Sequence, residues 1–149
     1  MPKAALAGLR EAAVPKKRFF GTVDTFHDYL KQHGRVVANY EWSGYVLATL
    51  VVYLEKERSV DLMKSEFDEL SSFLSEARAG TYFIFTDSHK AFLPQLEAEF
   101  SEQELCDYYN KFNATEEPDA GVPMVDGVRA FRDSLSTVDS ASVVVLGIG

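Results

Sequence analysis

Apolar residues along the chain recur at a few distinct spacings, and each spacing predicts an element. Met63, Phe67, Leu70, Leu74 and Ala77 step by four, three, four and three, which puts them on one face of a helix of 3.6 residues per turn. Ser59 is the candidate N-cap of that helix and Gly80 its stop. Met124, Val128, Phe131, Leu135 and Val138 repeat the same steps, with Pro123 in the first turn. Ser101-Glu102-Gln103-Glu104 has capping-box spacing and opens a helix through Leu105, Tyr108, Tyr109 and Phe112. A shorter helix is expected over Asp24 to His33, where Val23, Phe26 and Leu30 share a face and Gly34 follows. Residues 44–57 mix strand-favouring Val46, Thr49, Val51 and Val52 with the length, preceding Ser43 and charged end of a helix; the helix is the expectation.

Three segments read as strands. Residues 35–41 are β-branched and aromatic with partial alternation, residues 81–86 form a compact run of the same type, and residues 142–148 form another. The 81–86 run is apolar on both faces, which predicts a central position with helices on each side. A short helix is expected after Asp87 or Ser88, broken or restarted at Pro94, and residues 113–121 (NATEEPDAG) read as a polar loop. The expected fold class is therefore α/β or α+β: one domain with a partly parallel sheet of about three strands covered by several helices.

At 149 residues the chain suits one core and is short for two ordinary domains. The longest apolar run, Tyr45 to Leu54, is about half of the roughly 20 residues that cross a bilayer as a helix. No membrane partner is expected. The N-terminus lacks the long apolar region of a secretory signal, and the single Cys106 requires no oxidising compartment; a cytoplasmic location is the expectation.

Charge divides the chain further. Residues 1–18 hold Lys3, Arg10, Lys16, Lys17 and Arg18 against Glu11, a balance of +4, which leaves −12 of the total −8 on residues 19–149. Residues 1–18 are accordingly expected to form a basic segment, a solvated tail lying against the acidic body, with contact to nucleic acid or a localisation signal at Pro15-Lys16-Lys17-Arg18 as the alternative, and residues 19–149 an acidic globular domain. An acidic body repels nucleic acid and attracts basic partners.

Chemical motifs are sparse. There is no phosphate-binding glycine loop and no G-x-S-x-G serine elbow. One Cys and three His do not make a standard zinc site, and on a helix His27 and His33 lie about 240° apart; no metal or cofactor is expected. Cys106 among Glu102, Glu104 and Asp107 reads as an inert thiol. Two groups are weak acid–base candidates. Asp24 lies three residues before His27 on the expected helix, and Asp87 and His89 follow the strand 81–86, where open sheets often bind ligands.

Two aromatic groups complete the candidates. Tyr40, Trp42 and Tyr45 form one, and Tyr108, Tyr109 and Phe112, next to Glu116, Glu117 and Asp119, form the other. If exposed, such tyrosines beside carboxylates make a protein-binding edge, with Trp42, Tyr45, Tyr109, Glu116, Glu117 and Asp119 as contacts. The leading expectation is a non-enzymatic protein-interaction domain with a basic protein partner, of the kind an intracellular inhibitor or immunity protein is. The alternatives are a small enzyme or ligand-binding domain with a pocket near Asp87 and His89, and a structural subunit of a larger assembly, which would expose a large apolar patch.

Overall fold

Strand alternation organises the molecule. In the computed structural model, which describes residues 1–149, strands β3 (Thr81–Phe85) and β4 (Val144–Ile148) pair antiparallel, from Thr81 opposite Ile148 to Phe85 opposite Val144. Successive side chains of a strand point to opposite faces, so this ribbon has two apolar faces and must be covered twice. One face carries Phe83, Phe85, Val144 and Leu146 into the larger core, shared with helices α3 (Gly44–Arg58), α6 (Glu102–Asn113) and α7 (Gly121–Thr137). The other carries Tyr82, Ile84, Val143 and Val145 into a smaller core with α1 (Leu6–Ala12), α2 (Phe26–His33) and α4 (Asp68–Arg78). A short helix, α5 (Leu93–Leu96), completes the set, and a separate antiparallel hairpin pairs β1 (Lys16–Arg18) with β2 (Gly21–Val23). The molecule is mixed α+β, the expected fold class, with seven α-helices, of which α1 lies in a segment where no helix was expected.

Local chemistry explains most boundaries. Ser43 accepts a hydrogen bond from the Tyr45 N–H at the start of α3, and Ser101 accepts one from the Glu104 N–H at the start of α6, each satisfying an orphan donor of a first turn. After β3 the chain makes a 3-10 turn over Asp87–Phe92 and restarts as α5 beside Pro94.

Several expectations are corrected. Residues 35–41 form no strand and stay an irregular segment with Val36 87% exposed, because strand propensity has no effect without a neighbour to take the backbone bonds. The sheet consequently has two strands, and they are antiparallel, so the 81–86 run is an edge strand instead of a central one, although helices cover both its faces. Ser59 caps the end of α3 in a left-handed conformation (φ 55°) instead of opening the next helix. Asp61 accepts from the Met63 N–H and Ser65 from the Phe67 N–H, side-chain turns that compete with helix and delay α4 to Asp68. Finally, residues 1–13 are no solvated tail. Leu6, Leu9 and Ala13 are buried in the smaller core, while Lys3 pairs with Glu66 at 2.8 Å and Arg10 with Glu69 at 3.2 Å.

Candidate functional site

The most organised polar feature outside the cores is the loop after α6. Its keystone is Asn110. The Asn110 side-chain oxygen accepts from the Glu117 N–H (2.8 Å) and the Thr115 hydroxyl (3.0 Å), and its amide donates to the Glu117 carbonyl (2.9 Å). Cys106, buried one turn earlier, donates to the carbonyls of Glu117 (3.3 Å) and Pro118 (3.5 Å). Gly121 closes the loop. A Cβ at Gly121 would collide with the Glu102 carbonyl, so α7 begins against the first residue of α6. The loop thus presents exposed Glu116, Glu117 and Asp119 from a backbone held at several points. None of the three carboxylates is in an ion pair.

The aromatic residues of α6 divide around it. Tyr109 is half-buried and packs on the larger core. Tyr108 and Phe112 stack at 5.9 Å on the flank toward α3, with Phe112 48% exposed. On a helix, positions 108 and 112 lie roughly half a turn from 106 and 110, so the aromatic flank and the acidic loop border opposite sides of one exposed ridge that includes Asp107 and Lys111. The α3 flank is fixed by Tyr53, whose hydroxyl donates to Glu104 at 2.6 Å and accepts from Arg58 at 3.1 Å. Burial, reinforced by the Glu104 carboxylate, pushes the Tyr53 hydroxyl pKa up. At the far end Asn113 bonds Thr49 of α3, one turn after the exposed Tyr45. Trp42 is half-exposed, and its indole N–H donates to Asp126 of α7 at 3.1 Å.

The acid–base candidates do not converge. Asp87 is exposed and pairs with Lys3 at 3.5 Å, whereas His89 is buried against Phe85 and Phe92. Nδ1 of His89 accepts from the Thr86 N–H at 3.0 Å, which places the ring proton on Nε2, where it is donated to the Lys64 carbonyl at 3.0 Å. Both nitrogens serve the main chain. His27 is exposed, and Asp24, which sequence spacing assigns to it, bonds Arg78 at 2.7 Å; that guanidinium holds the Asp24 carboxyl below its ordinary pKa. No group of three His, Cys, Asp or Glu side chains is placed to hold a metal ion, and no helix is long and apolar enough to cross a membrane.

Two features stand outside the sequence-derived candidates. In the hairpin, Phe19 and Phe20 are 95% and 96% exposed beside Lys16, Lys17 and Arg18. The second is an apolar cavity of about 450 Å³ between β4, α7 and residues 34–40. The Phe-Phe pair after Lys-Lys-Arg was visible as a local signal, but the cavity was not, because its walls come from distant segments. Comparison with family models, curated proteins and solved structures returned no match.

Proposed function

We propose that the chain is a non-enzymatic protein-interaction domain that receives a basic protein on the exposed face of α6, in the manner of an intracellular inhibitor or immunity-type protein. The observation that carries this reading is the pinned loop, in which Asn110 and Cys106 hold Glu116, Glu117 and Asp119 in place before any partner arrives. A loop ordered in advance spends less binding free energy on immobilisation, and unpaired carboxylates on it accelerate encounter with a cationic surface. Tyr108 and Phe112 supply apolar contact on the adjoining flank. The test is to capture a basic protein from lysate of the native source at low salt and measure its association with wild type and with the double variant Glu116→Lys, Glu117→Lys. The variant should associate about tenfold more slowly at low salt, with the difference shrinking as salt rises; equal rates at low salt would remove this face from consideration.

A second reading, as a subunit of a larger assembly, has its own observation. Of the exposed large apolar side chains, Val14, Phe19, Phe20 and Val23 gather within ten residues on the hairpin and its approach, an apolar surface of the kind that assembly covers. Native mass spectrometry of the Phe19→Ser, Phe20→Ser variant tests it. Loss of an oligomer that wild type forms supports the assembly role, and identical mass distributions contradict it.

A further inference from the structure

The cavity between the sheet and α7 has the composition of a small-molecule site. Its volume of about 450 Å³ falls in the range of ligand pockets, and 14 of its 18 lining residues are hydrophobic. Leu47, Phe85, Phe131 and Val144 form its apolar walls, and Val36 and Val37 of the irregular segment border its open side. Inside stands one polar side chain. Ser134 is only 7% exposed, and its hydroxyl has no protein partner, the hydrogen bond at this residue being accepted by its main-chain carbonyl. The one fully buried side-chain oxygen without a partner is that of Ser71, so the Ser134 hydroxyl is not sealed off and stays open to a polar group of a ligand. Lys31 and Arg35 line the mouth, exposed and outside every ion pair of the molecule, in a body whose net charge is −12.

From this juxtaposition of an apolar chamber, an unpartnered inner hydroxyl and two unpaired cations at the opening, we propose that the cavity binds an apolar molecule with a single anionic head, of the class of a medium-chain carboxylate. The tail fills the space against Phe131 and Val144, and the head group meets Arg35 and Lys31. The site is separate from the α6 face and does not depend on it.

Titration calorimetry on the full chain tests this with three probes: decanoate, decanol, and decyltrimethylammonium. Decanoate should bind saturably at one per chain, decanol about tenfold more weakly, and the cationic probe not measurably. Arg35→Glu, at an exposed position, should weaken decanoate about tenfold and leave decanol within about twofold. Ala130→Leu, which projects into the chamber from α7, should abolish binding of both probes that enter. Absence of saturable decanoate binding, or equal decanoate affinity in wild type and Arg35→Glu, overturns the proposal. If Ala130→Leu does not fold, the Arg35→Glu comparison decides alone.

Discussion

A histidine whose Nδ1 faces a main-chain N–H has no room there for a second proton, and His89 is held in that way by Thr86 while its Nε2–H is spent on Lys64. Burial lowers its pKa further below the free value. The unfolded chain takes up a proton near pH 6.5 and the folded chain only at lower pH, so the unfolded state binds more protons in that interval and stability rises with pH across it. Stability is therefore complete above about pH 6.5 and declines as pH falls through the window beneath. Asp24 and Asp139 are held below the usual carboxylate range, Asp24 chiefly by Arg78 and Asp139 chiefly by Ser142; their contributions are lost only at lower pH. The melting temperature should fall between about pH 6.5 and 5 in wild type, and His89→Gln should be less stable at neutral pH but flatter across that window. An unchanged slope in the variant would assign the pH dependence elsewhere. None of this was readable locally, since Lys64 lies 25 residues away and the Asp-Ser-His sequence is the same for a catalytic group as for a buried one.

Elements were legible where their signal is local. The capping box at Ser101, the Ser43 cap, and the four-three steps of α7 each settle an element from within its own residues, and the doubly apolar 81–86 run pointed to cover on both faces but not to its place in a sheet of only two strands. The start of α4 was misread because Met63 and Phe67 keep helical spacing while Asp61 and Ser65 bind the intervening backbone. The junction of α6 and α7 rests on a close approach that spacing cannot reveal. Gly121→Ala sets a methyl against the Glu102 carbonyl, and because that atom is backbone, the helices must shift apart. The expected loss is about 1–3 kcal/mol, read as a lower urea midpoint with a similar slope. A midpoint equal to wild type would show that the junction yields freely.

For the whole molecule, composition was a good guide to one compact α+β chain and a poor guide to its sites. The cavity draws on Met1, α2, α3, α7, both strands of the central ribbon and residues 34–40, parts whose meeting no single window of sequence contains. The α6 face was half-visible. Glu116, Glu117 and Asp119 were evident as an acidic loop, but its tether to Asn110 and Cys106, and the division of Tyr108 and Phe112 from Tyr109, follow from the helix once its buried side is known. The basic N-terminal residues also separate by structure: Lys3 and Arg10 are paired with the body, and Lys16, Lys17 and Arg18 project on the hairpin. Within a body of charge −12, the carboxylates of the loop after α6 stand outside every ion pair.

The measurement that bears most directly on the interaction role is the association rate of the captured basic partner with wild type and with Glu116→Lys, Glu117→Lys, taken across a salt series. A rate for the variant about tenfold lower at low salt, converging on wild type as screening increases, is the predicted result. Equal rates at every salt concentration would contradict a docking role for the loop that Asn110 holds.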